Sequence, residues 1–451
     1  MRSSKRIKTV LKSLLTATVT SGVCLGGSTL LAFSPAAFDQ NESIRPSEMI
    51  LSFDEGTSKL EKEKIAAEYG AKIVKHLKTS NSALIKFENS LVSLKAVGAQ
   101  LSQNSAVKNV RPNKTFQLFD TKPNDSELRR QYHHNNIQSF EAWTKTTGSA
   151  EIPVAIIDTG IVLEHEDLVD NLWRNPGETG LDSEGRDKAT NGIDDDENGY
   201  IDDFQGWDFV DNDNIPDDRN GHGTHCAGIV GGVGDNGKGI SGVNWNVGLV
   251  GLKIFGASGS ATEADIVEAI EYSNMMGFQI SNNSWGGPAG AEYGEGTGDL
   301  IYEAIKEGQT LGHLFVFAAG NSRGNSDVKP LIPAAYDLDA IISVAASTQS
   351  DSLAGFSNYG LTTVDIAAPG AGIYSTFKKS WFGSAYRSLD GTSMAAPIVA
   401  GAAALLKSVN PSMTSPEIKS RILETADPVD ALEGKIKTGG RLNLNSMISE
   451  N

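Results

Sequence analysis

The chain has 451 residues, 39% of them hydrophobic, and a formal net charge of −17, which allows two or three domains with real cores. The charge is uneven: residues 1–36 hold five basic and no acidic residues, residues 37–119 twelve basic and nine acidic, and residues 120–451 a net −25. So acidic a body lacks the basic footprint of a nucleic-acid binder and suits a solvated surface or cation sites.

The basic start is followed by an apolar stretch from Leu14 to Phe33 and small residues at Ser34 and Ala36, the pattern of a signal peptide over residues 1–36 cleaved after Ala36. The expectation is bacterial-type export to an extracellular location, with membrane contact only if the segment stays uncleaved as an anchor. Val23 before Cys24 is too large for a lipid-attachment site. Removal of the signal leaves Cys226 as the one cysteine, so disulfides cannot brace the fold and metal ions are the alternative brace.

Residues 37–119 read as a small α+β domain. Met49–Phe53, Ala83–Phe87 and Val107–Arg111 have strand character, and Lys59–Tyr69 and Leu91–Ser102 have helical apolar spacing. No Ser/His/Asp cluster falls in this zone. Polar residues from Asp120 to Glu127, with Pro123, read as a linker.

Residues 120–451 alternate strands and helices. Val154–Asp158 and Val247–Phe255 are short apolar runs of strand type, and Ile280–Ser284 and Leu314–Ala319 follow as further strands; Thr262–Met276 and Leu300–Gln309 read as helices, with Thr262 and Asp265 as a cap pair. The predicted fold is α/β: a mostly parallel sheet with helices on both faces. Ligands of such sheets bind beyond the carboxyl ends of the strands, which directs attention to the residues just after each run.

Four candidates stand there. Asp158 ends a strand and precedes Thr159-Gly160. His222 lies in Asn220-Gly-His-Gly-Thr-His-Cys-Ala-Gly228, flanked by two glycines that let the backbone turn. Ser393 lies in Gly391-Thr-Ser-Met-Ala-Ala-Pro397 at the start of an Ala-rich helix over Ile398–Leu406, where free N–H groups and the helix dipole favour negative charge. Asn321 closes Phe315-Val-Phe-Ala-Ala-Gly-Asn321, where its amide can donate to an oxyanion. Taken singly each has a bland reading, such as a strand-end Asp, a packed His or a Ser N-cap; His225 fits the packed role better than His222.

Together, Asp158-Thr-Gly, His222-Gly-Thr-His, Ala319-Gly-Asn321 and Gly391-Thr-Ser-Met-Ala resemble the signatures of the subtilisin-like serine proteases, in the chain order Asp, His, Ser. The resemblance runs from about Asn124 to the C-terminus. It includes features of thermitase-type members: Pro123-Asn-Asp125, Trp207-Asp-Phe-Val-Asp-Asn-Asp213 and Cys226 beside the His motif. It implies a subtilisin-like fold and a secreted serine endopeptidase, with Asp158, His222 and Ser393 as triad and Asn321 as oxyanion donor. Serine needs a base to become a nucleophile, a role that falls to His222. Ser284-Trp-Gly286 resembles the family strand that pairs with extended peptide, which places Ser284 and Gly286 at the substrate. Residues 37–119 resemble the family's propeptide, an inhibitor and folding aid, with self-cleavage near Phe119–Lys122; the partners are then protein or peptide substrates and the chain's own propeptide. A thiol-protease role for Cys226 is rejected, because a cysteine buried after the His motif behaves as a small apolar residue.

The acids are clustered. Asp208, Asp211, Asp213 and Asp217 precede His222, and oxygen ligands this dense suit Ca²⁺, the cofactor expected; Ile215 would add a carbonyl by resemblance. A second site by resemblance joins Asp125, Asp167 and Asn236 with carbonyls of Gly234, Lys238 and Ile240. Asn191–Asp203 is an insertion relative to shorter family members. Within it, Asp194, Asp196, Asn198 and Gly199 copy the first half of an EF-hand loop, but the closing position falls on Gln205, so Asp202 or Asp203 would have to serve instead. The competing reading of the whole chain is a catalytically inactive, calcium-binding interaction module on the same fold.

Overall fold

A computed structural model describes residues 44–78, 81–87, 93–114, 122–256, 259–290, 293–379 and 383–449. The signal-like segment, the cleavage position after Ala36 and most of the stretch near Phe119–Lys122 lie outside the described residues. The chain divides into two compact units, Met1–Leu118 and Phe119–Asn451.

In the first unit the strands are β1 (Ile44–Phe53), β2 (Ala71–Leu77), β3 (Ser82–Phe87) and β4 (Val107–Lys114), with helices α1 (Lys59–Glu68) and α2 (Leu94–Leu101). The strands form an antiparallel sheet in the order β2-β3-β1-β4. Its core is Met49, Leu51, Phe53, Ile65, Ile85, Phe87, Leu101 and Val110. Ser58 and Ser93 cap the helices by accepting from Glu61 N and Ala96 N, which satisfies amides the first turn leaves open. The α+β expectation holds, but β2 was not foreseen. It is an edge strand whose Val74 is 57% exposed, and its lysines obscure the alternation that reveals a half-buried strand, as is common at sheet edges.

The second unit begins with two short helices, α3 (His133–Asn136) and α4 (Ser139–Trp143). Then come β5 (Gly148–Asp158), β6 (Gly206–Asp208), α5 (His222–Gly231), β7 (Asn246–Lys253), α6 (Glu263–Met275), β8 (Ile280–Asn283), β9 (Gly287–Pro288), α7 (Leu300–Thr310) and β10 (Leu314–Ala318). The remainder is β11 (Leu331–Ile332), β12 (Ile341–Ser347), β13 (Ile366–Pro369), β14 (Ile373–Thr376), β15 (Tyr386–Leu389), α8 (Thr392–Val409), α9 (Ser415–Glu424), β16 (Asp427–Pro428), β17 (Gly440–Arg441) and α10 (Leu444–Ile448). Nine strands form one sheet, β16-β17-β13-β12-β10-β8-β5-β7-β6. All its pairings are parallel except β16 with β17.

The middle of the sheet is buried on both faces, which is why β5, β7 and β10 read as apolar runs. Val154, Ile156, Leu249, Val316 and Val344 join one core with α5 and α8; Ala155, Ile157, Val250, Phe315 and Phe317 join the other with α6 and α7. Thr262 and Asp265 form the anticipated capping box on α6. Helix α8 packs across the sheet, and its alanines let it lie close; it is long and apolar enough to cross a membrane, but 83% of that window is buried inside the fold, as befits a core helix.

Because β5 is central and Ile156 has no exposure, Ile156→Ala should lower the unfolding free energy by about 2–5 kcal/mol through transfer and cavity costs, read from the midpoint of urea unfolding.

Candidate active site

β5 ends at Asp158, buried to 1% exposure. Its Oδ1 accepts from the Thr159 amide at 2.7 Å and pairs with His222 Nδ1 at 2.7 Å. His222 opens α5, and the turn before it is built by Asp218. That buried carboxylate accepts from the amides of Asn220, Gly221 and Thr224 and from the hydroxyls of Thr159 and Thr224. Gly221 sits at φ 105°, a left-handed conformation only glycine adopts freely. Gly223 passes so close to Asp158 that a Cβ there would stand 3.1 Å from the Asp158 Cβ. Burial opposes protonation of His222, but the Asp158 charge and hydrogen bond outweigh it and hold the imidazole pKa above its ordinary value.

Ser393 is the second residue of α8. Its hydroxyl donates to the Ser284 carbonyl at 3.2 Å rather than to His222. Asn321, three residues beyond β10, is oriented by Thr392, whose amide (2.9 Å) and hydroxyl (3.0 Å) both donate to Asn321 Oδ1. This fixes which end of the side chain faces outward. Ser393 N and Asn321 Nδ2 both lie near Gly391, on the side where a side chain would stand. Thr392 was not singled out from the sequence, although it stands inside the Gly-Thr-Ser-Met motif.

Cys226 lies beneath these groups. Its Sγ is 3.4 Å from the Ser393 carbonyl and 3.6 Å from Ser284 Oγ, and it lies with ligand atoms of Asp158 and His222 inside a 4.8 Å group. The thiol is wholly buried, and that burial, with the Asp158 charge, pushes its pKa well up. His225 has the packed role expected: it is buried and its Nε2 meets the Arg387 carbonyl at 3.0 Å. Ser284 Oγ donates to the Ser393 carbonyl at 2.9 Å. Gly286 follows at the surface, beside the two-stranded ribbon of β9 and β11. Trp285, Gly286 and Gly287 form one wall of a cavity of about 580 Å³, whose other walls include Phe255, Ile266, Ile301 and Ile332 and the acids Glu263 and Asp299.

The acidic candidates fare differently. Asp125, Asp167 and Asn236 are brought together: Asn236 Nδ2 donates to Asp167 Oδ1 at 2.8 Å, and Asn236 N to Asp125 Oδ1 at 3.3 Å. The Asp167 pKa is pushed up to about 6, by burial first and then by the neighbouring charges of Asp125 and Glu166; crowded oxygens of this kind fit a hard cation. The Ile240 amide, whose carbonyl had been expected to contribute, donates to Asp167 Oδ2 at 2.7 Å. Asp208 is committed elsewhere. Its Oδ2 takes the buried Lys253 ammonium at 2.5 Å and its Oδ1 the amides of Val210 and Asp211. Among the described residues, Asp208, Asp211, Asp213 and Asp217 supply no converging group of three acids. In the insertion, Asp194 and Asp196 converge with Glu178, a residue not singled out beforehand. Burial pushes the Glu178 pKa up to about 7, aided by Asp203, Asp195 and Asp196.

Residues 149–447 match the model of the Subtilase family. The chain belongs to the subtilase family. Residues 35–113 match the Fervidolysin N-terminal prodomain. The subtilase is 36% identical over 322 residues to Thermitase of Thermoactinomyces vulgaris, covering 71% of this chain and 97% of the relative. It is 34% identical over 398 residues to the Thermophilic serine proteinase of Bacillus sp. (strain AK1), covering 88% and 86%. A solved protease of Pseudoalteromonas arctica PAMC 21717 superposes with a TM-score of 0.56 at 27% identity, over 72% of this chain and 98% of that one. This subtilase is therefore a serine-type peptidase with a subtilisin-like fold and an N-terminal prodomain.

A buried thiol held in its protonated form is a poor nucleophile. Cys226 of the native subtilase should stay unmodified by iodoacetamide at pH 8 and alkylate fully in guanidinium chloride, as counted by intact-mass spectrometry.

Proposed function

We propose that this subtilase is a secreted endopeptidase that cleaves peptide bonds through an acyl-enzyme on Ser393 and removes its own propeptide. The proposed boundaries are 1–36 for the signal, 37–119 for the propeptide and 120–451 for the catalytic domain. The observation that carries the reading is the pairing of the buried Asp158 with His222 at 2.7 Å.

In the proposed sequence, substrate displaces the resting contact between Ser393 Oγ and the Ser284 carbonyl, and the hydroxyl turns to His222; hydrogen bonds of a catalytic site often tighten only when substrate is bound. His222 takes the hydroxyl proton as Oγ attacks the scissile carbonyl, then returns it to the leaving amine. Asp158 keeps Nδ1 protonated, so Nε2 is the free base, and stabilises the imidazolium that forms. Oxyanion charge is met by Asn321 Nδ2 and Ser393 N, donors already fixed by Thr392 and by the helix start. Water then repeats the sequence on the acyl-enzyme. The backbone from Ser284 to Gly286 would take the peptide as an added strand.

Calcium is proposed as a stabilising ion at Asp125–Asp167–Asn236 and at Asp194–Asp196–Asn198. It supplies positive charge that cross-links loops and takes no part in the chemistry. At Asp208–Asp217 an ion would require Asp211, Asp213 and Asp217 to converge around it, since Lys253 already neutralises Asp208.

Ser393→Ala should abolish peptide cleavage and leave the propeptide attached, as seen by gel and N-terminal sequencing; propeptide removal by that variant would refute self-processing through Ser393. Asn321→Ala should lower kcat by about 10²–10³ with little change in KM, the cost known for the comparable amide of subtilisin. Neutral His222 is the active base and its pKa is raised, so activity should rise with pH through a midpoint above the ordinary imidazole value of about 6.5. Asp158→Asn should move that limb to lower pH and cut kcat by about 10⁴, the loss such a change causes in a Ser-His-Asp triad. EDTA should lower the melting temperature, and calcium at a hundred times its Kd should restore about 2.7 kcal/mol per site; an unchanged scanning-calorimetry trace would rule the ion out.

A further inference from the structure

The insertion contains more acids than its own backbone uses, and the two that follow its EF-hand-like start are already committed. Asp203 is fully buried. Its Oδ1 accepts from Asn175 Nδ2 at 2.7 Å, and its Oδ2 from Asn198 Nδ2 at 2.9 Å and Tyr272 OH at 2.5 Å. Asp202 accepts from the Gly192 amide with both oxygens, at 3.1 and 3.0 Å. Neither is placed to close a loop around an ion.

Glu178 is. It belongs to the turn after Asn175, outside the insertion, and has no exposure. One of its oxygens accepts from the Asp195 amide at 2.8 Å; the other, Oε2, is buried with no partner. One oxygen each from Glu178, Asp194 and Asp196 lies within 4.8 Å of the others. Oxygens bound to one calcium at about 2.3–2.6 Å can stand at most about 5 Å apart, and the three lie inside that limit. Asp194 is held by the amides of Asn198 and Gly199, at 3.0 and 2.7 Å, and Asp196 by Asn175 Nδ2 at 3.0 Å; each carboxylate keeps lone pairs for an ion. The Lys188 ammonium is directed to the Gly177 carbonyl at 3.2 Å and to Asp195 at 3.8 Å. A buried carboxylate with one oxygen unpartnered and two other acids nearby is costly unless a cation answers it.

We propose that Glu178 is the closing ligand of an all-oxygen calcium site with Asp194 and Asp196. This rests on the calcium reading of the insertion and changes its architecture: the ion is a clasp between two segments, not the centre of a self-contained loop. Occupancy fixes the Asn175–Glu178 turn against the insertion. Asp203 and its bond to Tyr272 carry that order into α6.

The test uses the full-length Ser393→Ala protein, which avoids self-digestion, with bound calcium counted by equilibrium dialysis and stability followed by calorimetry. Glu178→Gln should lose one equivalent of calcium, Asp125→Asn a different one, and the double variant two. In calcium, Glu178→Gln should melt below its parent. In EDTA it should melt at or above it, because the change removes a buried charge and keeps the side chain's shape. Full calcium stoichiometry in Glu178→Gln overturns the assignment of Glu178 and leaves the other sites standing. A parent protein that binds no calcium overturns this site and the broader calcium reading together. If Glu178→Gln is as destabilised in EDTA as in calcium, Glu178 is an ordinary hydrogen-bond acceptor and the proposal fails.

Discussion

A carboxylate buried at the end of a central strand constrains everything near it. Asp158 has 1% exposure, and its Oδ1 is answered by the Thr159 amide and the His222 ring. Removing either would leave a buried ion underpaired, at a cost of several kcal/mol. Helix α5 must therefore start within one hydrogen bond of β5. That demand explains the residues around His222: a left-handed glycine to turn the chain, a second glycine to pass beside Asp158, and Asp218 to satisfy four donors of the turn and tie it to the Thr159 hydroxyl. Cys226 fills the space directly below. A larger side chain there would press on the Ser393 carbonyl, 3.4 Å from the sulfur.

Fold and site were legible from the sequence to different depths. β5, β7 and β10 announced themselves because burial on both faces favours continuous apolar runs, whereas β8, Ile-Ser-Asn-Asn, was readable from its place in the β-α-β order. Helix α6 was readable for a local reason, the Thr262–Asp265 cap. β12 and β13 were not read: their alanines and serines give little hydrophobic contrast, and they gain strand character from the neighbours they pair with. The two-residue strands β16 and β17 are too short to carry a pattern at all.

At the site, motifs located Asp158, His222, Asn321 and Ser393, whose types and neighbours are unusual in themselves. The electrostatic partners were hidden because pairing is a tertiary fact. Nothing in Leu252-Lys253-Ile254 signals that this lysine neutralises Asp208 across the β6–β7 pairing. Nothing in Asn175-Pro-Gly-Glu178 signals that the glutamate is withdrawn from water. Acid density along the chain points to the insertion and says nothing of Glu178, because the carboxylate that converges on Asp194 and Asp196 comes from another segment.

If the chain is exported, as proposed above, helix α8 has one more consequence, which concerns passage through a membrane rather than packing. Any chain threaded unfolded through a translocation channel is sampled, segment by segment, for partition into lipid. At Thr392–Val409 this chain offers a segment of spanning length. Only five of those residues are Leu, Ile or Val, each worth at most about −0.3 to −0.6 kcal/mol of insertion at a helix centre, and Pro397 and Lys407 break the apolar composition. Six alanines, Pro397 and Lys407 thus keep the helix tightly packable in the folded enzyme and poorly retained by a bilayer on the way there. A leucine-rich core helix of the same length would satisfy the sheet and risk arresting the polypeptide in transit.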